Sequence, residues 1–279
     1  MPEMPEVETI RRSLEKKLLG RQIQNADIIL PRQVKWPDPV NFAARVTGRR
    51  FVRLERSGKY LIFILDNDNE LIFHLRMTGR LLYQPAAAER DAYTRLVFEL
   101  DDASVLLYAD TRTFGAIYAL TAGERWRVRG LAEMGPEPLS EGFTPDYLQE
   151  ALKNRKTKIK SFLLDQRRIG GLGNIYADEA LFLARIHPLR LAGSLDTAET
   201  FRLYEAVNEV IRCGIEDGGT TFRDYVDGNG DRGHHQERLQ VYHRQGLPCR
   251  YCSTLIEKIT VGGRGTHFCP QCQPAKEAP

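Results

Sequence analysis

Lys59-Tyr60-Leu61-Ile62-Phe63-Ile64-Leu65 and Leu71-Ile72-Phe73-His74-Leu75 are two short apolar runs, separated by Asp66-Asn67-Asp68-Asn69-Glu70. Runs of this length, rich in Ile and Phe and bounded by turn formers, read as strands. The Asp-Asn cluster favours a tight reversal between them. Similar runs follow at 96–100, 105–108 and 116–120, with Asp101-Asp102-Ala103-Ser104 as a second turn cluster. Several short strands at close spacing predict an antiparallel sandwich or barrel.

The periodicity differs on both sides of this region. Val7, Ile10, Leu14 and Leu18 recur at helical spacing and Gly20 follows them, which predicts a helix over 5–19. Beyond residue 144 the pattern is helical again, over 145–153, 157–166, 175–186 and 196–215. Residues 217–233 hold five glycines and few apolar residues, which predicts a long mobile loop. The expected fold class is therefore α+β with two domains. The chain has 279 residues, a length that suits about two domains of ~150 residues.

Composition excludes several classes. Hydrophobic residues are 42% and charged residues 28%, ordinary for a globular chain and unlike a disordered or fibrous one. No apolar run approaches the ~20 residues of a membrane-spanning helix. Met1-Pro2-Glu3-Met4-Pro5-Glu6 is acidic and proline-rich, unlike a secretory leader. The expected setting is the cytoplasm. Lys plus Arg is 40 against 37 for Asp plus Glu, so the net charge is +3, too small to announce a nucleic-acid partner. The distribution is more informative. Residues 131–150 carry five acids and no base, whereas 151–176 carry Lys153, Arg155, Lys156, Lys158, Lys160, Arg167 and Arg168 against Asp165 alone. A solvated helical face and a phosphate-tracking stripe both fit that run.

Cys249-x2-Cys252 and Cys269-x2-Cys272 are separated by sixteen residues, a spacing that reads as a four-thiolate zinc site. One structural ion, ligated by all four cysteines, accounts for both pairs. Two disulfides or redox dithiols are the alternatives, which the lack of a secretion signal disfavours. The intervening residues suit a hairpin with Gly262-Gly263 near its tip. Cys213 stands apart and reads as a core thiol.

Pro2 raises a chemical possibility. Small residues after the initiator permit Met removal, which would leave a secondary amine. An α-amine has a pKa near ~7.7–8.0 against ~10.4 for Lys, so its unprotonated fraction at neutral pH is on the order of 300-fold larger. The positive end of the following helix lowers that pKa further. Such an amine can attack a sugar carbon to form an iminium, with Glu3 placed to move protons. A stiff N-terminal residue, with Glu3 and Glu6 capping a helix, is the plain alternative.

The N-terminal segment Met-Pro-Glu-Met-Pro-Glu-Val-Glu resembles that of the formamidopyrimidine-DNA glycosylase family, which includes the endonuclease VIII-like enzymes. The resemblance extends in order through Arg56-Ser57-Gly58-Lys59, His74-Leu75-Arg76-Met77-Thr78-Gly79, Asp110-Thr111-Arg112-Thr113-Phe114-Gly115 and Gly135-Pro136-Glu137-Pro138-Leu139. It continues through Gly170-Gly171-Leu172-Gly173-Asn174-Ile175-Tyr176, the four cysteines and Gly263-Arg264-Gly265-Thr266. Each motif is weak alone; the ordered set spans nearly the whole chain.

The resemblance implies an N-terminal antiparallel β-sandwich with flanking helices, then a helix–two-turn–helix module and a β-hairpin zinc finger. The corresponding boundaries are 1–131 for the catalytic domain, 132–144 for a linker, 145–237 for the helical DNA-binding domain and 238–274 for the finger. Within the helical domain, 217–233 would cap the lesion. The resemblance also implies a bifunctional glycosylase and abasic-site lyase acting on oxidised purines in damaged double-stranded DNA. Pro2 would be the nucleophile at C1′, Glu3 the proton carrier, and Lys59 and Arg264 aids to elimination. Chemistry at C1′ requires the base to leave the stack. Met77, Arg112 and Phe114 would fill the gap: a wedge, a guanidinium for the orphaned base and a stacking ring. In isolation Met77 and Phe114 read equally as core residues.

Asn174, opening a helix after a glycine-rich turn, would bind phosphate with Lys160 as companion; an ordinary helix–helix turn is the alternative. His74, Arg155, Tyr242 and Lys258 complete the implied DNA contacts. Three positions depart from the family pattern. Tyr93 stands where many members carry a DNA-contacting histidine, His235 replaces a common phenylalanine, and His243 replaces a common glycine. His234 and His235 read as surface residues. Two other functions stay open: a glycosylase for oxidised pyrimidines, and a non-catalytic zinc-finger protein that recognises damaged DNA. A bacterial, nucleoid-associated monomer is expected, since no heptad pattern is visible.

Overall fold

The computed structural model describes residues 1–85 and 90–275. The chain divides into two compact units, one of residues 1–132 with 217–236 and one of 133–216 with 237–279.

The first unit begins with α1 (Met4–Leu18), then β1 (Ile23–Ile28), β2 (Val34–Trp36) and α2 (Pro39–Val46). It continues through β3 (Phe51–Ser57), β4 (Tyr60–Leu65), β5 (Glu70–His74), β6 (Gly79–Pro85), β7 (Thr94–Leu100), β8 (Ser104–Asp110) and β9 (Ala116–Leu120), and α3 (Arg129–Ala132) follows. Two sheets form, one of order β1-β7-β8-β6 and one of order β2-β9-β5-β4-β3. All pairings are antiparallel except β2 with β9. Leu61, Phe63, Leu71 and Phe73 of one sheet meet Leu81, Leu96, Phe98 and Leu106 of the other in one core, with Phe73 and Phe98 rings 6.4 Å apart. Val7, Ile10, Leu14 and Leu18 of α1 join that core. On the other face of β4 and β5, Ile62, Ile64 and Ile72 pack with Leu120 and Val128. Burial on both faces is why β4 and β5 read as unbroken apolar runs.

The expected strands and helices all form, with ends moved by a few residues. β1, β2, β3, β6, α2 and α3 are additions. Their sequences explain it: Ile-Gln-Asn-Ala-Asp-Ile and Phe-Val-Arg-Leu-Glu-Arg-Ser expose much of one face, and β2 has three residues. In α2 the Asp38 carboxylate caps the N-terminus, accepting from Val40 and Asn41 N–H.

Residues 217–236 correct two expectations. They pack with the first unit rather than the helical one. The segment is also held in place: Gly228 N–H donates to Ser13 Oγ at 2.9 Å, Tyr83 N–H donates to Gly228 O at 2.9 Å, and the Tyr225 hydroxyl donates to Gly218 O at 3.0 Å. Burial pushes the Tyr225 phenol far above its ordinary pKa, with the nearby Glu6 adding to the shift. A glycine-rich segment remains ordered where its backbone groups find such partners.

The second unit holds α4 (Pro145–Leu152), α5 (Ile159–Leu164), α6 (Asn174–Leu183) and α7 (Thr197–Glu216), then the antiparallel hairpin of β10 (Glu257–Val261) and β11 (Arg264–Phe268). The acids of the 131–150 stretch are exposed except half-buried Glu137. Cys213 is half-buried on α7 beside Glu209, rather than in the core. No helix among the described residues is long and apolar enough to cross a membrane.

Candidate functional site

In the first unit, the start of α1 gathers the residues expected to carry chemistry. Pro2 and Glu3 are buried, and Glu3 is the N-cap. Glu3 N–H donates to Glu6 Oε2 at 2.8 Å, one half of a reciprocal capping box. Glu3 and Glu6 therefore cap the helix, as the plain alternative expects. Thr220 N–H donates to the other oxygen, Glu6 Oε1, at 2.7 Å. One carboxylate thus ties the residues beside Pro2 to the glycine-rich segment. The sequence reading gave Glu6 no such role, because its partner is far away in the chain.

Lys59 occupies the two-residue turn between β3 and β4, where Gly58 takes a positive φ of 55°. That is the first central position of a primed hairpin turn, which glycine fits. His74 pairs with Tyr60 across β4 and β5, their rings edge to face at 4.5 Å. Burial, reinforced by Arg76 and Lys59, lowers the His74 pKa to about 3. Arg76 N–H donates to His74 Nδ1 at 3.1 Å, so the neutral ring carries its proton on Nε2. His74 can offer a phosphate one neutral N–H, not a cation.

Met77 is 42% exposed and Phe114 56% exposed, which removes the core reading for both. Arg112 lies between them, its Nη1 2.9 Å from Met77 Sδ and its guanidinium 4.8 Å from the Phe114 ring centre. The three side chains form one exposed stack on the segments joining β5 to β6 and β8 to β9. Tyr93 is exposed near Arg95. His235 is buried, not at the surface, and its Nδ1 lies 2.8 Å from Asp217 Oδ2 at the neck of the glycine-rich segment.

In the second unit, Asn174 opens α6 after Gly173. Its Nδ2 donates to Gly265 O of the hairpin at 3.0 Å, while Oδ1 is buried without a hydrogen-bond partner. Lys160 is a correction. It is 0% exposed, and its ammonium donates to Asp178 Oδ1 at 2.5 Å and to Asn174 O at 3.0 Å. A side chain so enclosed cannot meet a phosphate; it fixes the start of α6.

Asp178 and its neighbour Glu179, which the sequence reading passed over, organise this face. Asp178 Oδ2 accepts His267 N–H at 2.9 Å. Glu179 accepts the N–H groups of Gln240, Val241 and Tyr242 at 2.8, 2.9 and 2.8 Å. Burial raises the Glu179 pKa, while those backbone donors oppose the shift. Two consecutive acids inside the otherwise apolar Asn-Ile-Tyr-Ala-Asp-Glu-Ala-Leu-Phe-Leu were the available signal.

Tyr242 touches His243 and His267. His243 takes a positive φ of 59°, the conformation glycine would supply there. Lys258 and Arg264 are exposed on the hairpin, and Lys258 pairs with His267. Arg155 is exposed between α4 and α5, where its Nε donates to Ala151 O. Among the described residues its hydrogen bonds go to Ala151, Leu152 and Gly193, not to the Asn174 cluster.

The four paired cysteines lie with their sulfurs within 4.8 Å of one another, with Cys252 3.5 Å from both Cys269 and Cys272, and Cys249 3.9 Å from Cys272. A tetrahedron with Zn–S bonds of ~2.3 Å has edges of about 3.8 Å. These separations fit one zinc ion and far exceed a disulfide bond of ~2.05 Å. Phe182, Val241 and Ile256 pack around Cys249 and Cys269.

Comparison with known proteins places these features. Three family models match: the N-terminal domain of formamidopyrimidine-DNA glycosylase over residues 1–117, its H2TH domain over 134–226, and a zinc finger found in FPG and IleRS over 246–275. A formamidopyrimidine-DNA glycosylase of Symbiobacterium thermophilum is 50% identical over 99% of this chain and 90% of its own length. A Lactococcus lactis FPG mutant, solved with DNA containing Fapy-dG, is 38% identical over 98% of this chain and all of its own, with a TM-score of 0.93. The wild-type Lactococcus lactis protein, solved with DNA containing an oxidized pyrimidine, is 37% identical over the same shares, with a TM-score of 0.92.

Proposed function

The chain belongs to the formamidopyrimidine-DNA glycosylase family, and from that premise we propose that it excises oxidised purines from damaged duplex DNA and then cleaves the abasic strand. The observation that carries the reading is the start of α1. Pro2 sits at the positive end of a 15-residue helix, Glu3 is buried beside it, and Glu6 joins Glu3 to the segment 217–236.

Removal of Met1 gives Pro2 a secondary amine, whose pKa the helix terminus lowers toward neutrality. The amine attacks C1′ as the bond from C1′ to the base breaks, and Glu3 moves the proton that opens the sugar. The resulting iminium acidifies C2′–H, so loss of that proton expels the 3′ phosphate and a second elimination expels the 5′ phosphate. Lys59 and Arg264 assist these steps as cations at the phosphates. Met77, Arg112 and Phe114 occupy the gap left by the extruded nucleotide. Asn174, Tyr242 and Lys258, with His74 as a neutral donor, hold the backbone. Arg155 and Tyr93 are peripheral contacts. Cys249, Cys252, Cys269 and Cys272 would hold a zinc ion, which would brace the hairpin as a structural ion. The protein acts as a monomer in the bacterial cytoplasm.

Oxidised pyrimidines are a second substrate class, favoured by the Lactococcus lactis complex with such DNA. Single-turnover excision from duplexes carrying 8-oxoguanine, a formamidopyrimidine or thymine glycol ranks the two. Faster excision of both purine lesions is expected; a clear preference for thymine glycol would reverse the assignment.

A further inference from the structure

Asp110 ends β8 and is almost wholly buried. Its carboxylate accepts five hydrogen bonds, none from a cation. Oδ1 takes the Thr78 hydroxyl at 2.5 Å and Arg112 N–H at 3.2 Å. Oδ2 takes Gln33 Nε2 at 2.7 Å, Gly115 N–H at 2.9 Å and the Tyr108 hydroxyl at 3.2 Å. Thr78 Oγ1 also accepts Arg112 N–H at 3.0 Å.

Three of these donors, Thr78, Arg112 and Gly115, lie on two crossovers between the sheets, while Tyr108 is on β8 and Gln33 just precedes β2. Residues 75–78 leave β5 for β6, and residues 111–115 leave β8 for β9. The first carries Met77 and the second carries Arg112 and Phe114. Gly79 and Asp110 face each other in the β6–β8 ladder, so the end of the first crossover lies beside the start of the second. Each contains a non-glycine residue at positive φ, Arg76 at 56° and Thr113 at 57°. Such conformations persist only where surrounding bonds hold them. There is no slack at Gly115 either, where an added Cβ would lie 1.7 Å from the Tyr108 hydroxyl.

We propose that Asp110, with Thr78 as its relay, is the positioning residue that holds Met77, Arg112 and Phe114 in register and so sets discrimination of the base opposite the lesion. The proposal rests on the glycosylase reading above. Both side chains are buried. A carboxylate is required because all five partners donate; an amide would turn a donor toward at least one of them. Displacing a preorganised group by about an ångström can cost on the order of 100-fold in rate, so the effect on excision is large even though Asp110 touches no substrate.

The test compares Asp110→Asn, Thr78→Val and Thr78→Ser in full-length processed protein. Three readouts are taken: 8-oxoguanine excision opposite cytosine, the same opposite adenine, and cleavage of a single-stranded abasic oligonucleotide, which has no opposite base to hold. We expect Asp110→Asn and Thr78→Val to lower excision opposite cytosine by about 100-fold and to bring the cytosine-to-adenine rate ratio toward one. Both should leave single-strand cleavage within about threefold, and Thr78→Ser, which keeps the hydroxyl, should match the parent throughout. A parental ratio in Thr78→Val, or a proportional loss of single-strand cleavage, overturns the proposal. If Asp110→Asn fails to fold, the Thr78 pair decides. A parent protein that excises from neither duplex overturns the glycosylase reading instead, and the proposal with it.

Discussion

The Glu6 carboxylate accepts the Thr220 N–H at 2.7 Å across 214 residues of chain, while its second oxygen accepts the Glu3 N–H. The segment beside Pro2 and the segment 217–236 thus share one acceptor. Glu6→Gln turns an amide toward one of those donors. It is expected to cost about 1–3 kcal/mol, the penalty for one buried donor left unpaired. Limited proteolysis should then cut within 217–233 faster than in the parent. Unchanged cleavage there would show that Glu6 does not hold the segment.

The depressed His74 pKa makes a pH prediction. As pH falls below 6.5 the unfolded imidazole takes up a proton that the folded site refuses until about 3. The unfolded state binds more protons in that window, so stability is full above about pH 6.5 and declines toward pH 3. The slope from this residue approaches about 1.4 kcal/mol per pH unit. Denaturant titrations of His74→Gln from pH 7 to 4 should show a shallower decline than the parent; equal slopes would place the histidine's titration near its ordinary value.

Lys160 and Arg264 separate by salt dependence. Breaking the buried Lys160–Asp178 pair with Lys160→Met is expected to cost about 3–5 kcal/mol. Below its lowered melting temperature the variant should keep the parental slope of log binding constant against log salt. Arg264→Ala should reduce that slope by about one. A reduced slope in Lys160→Met would mean that Lys160 meets phosphate after all.

Metal removal tests the hairpin. Protein unfolded in the presence of a colorimetric zinc dye should release one equivalent per chain. Chelated protein should bind duplex DNA more weakly yet still form the Pro2 adduct on a short single-stranded abasic oligonucleotide. Two equivalents, or none, would contradict a single four-thiolate ion.

Much of this was legible in sequence because it was local. β4 and β5 are buried on both faces and so appear as unbroken apolar runs, and the cysteine spacing encodes its own tetrahedron. Edge strand β1 and the charged β3 lack that signal. The roles of Glu6, Asp110, Asp178 and Glu179 depend on donors from distant segments, which no local pattern records. Lys160 shows the converse error, since a basic run implies exposure and packing buried one of its members. The burial of His235 is equally absent from local sequence, because its partner Asp217 lies at the other end of the loop.

The central claim is that the Pro2 amine attacks the damaged nucleotide. Borohydride trapping on a duplex containing 8-oxoguanine, followed by mass spectrometry of the adducted peptide, tests it directly. A covalent adduct on Pro2 is expected, and it should vanish in Pro2→Gly and in protein that retains Met1. Absence of an adduct from correctly processed protein, or an adduct on Lys59 instead, would contradict it.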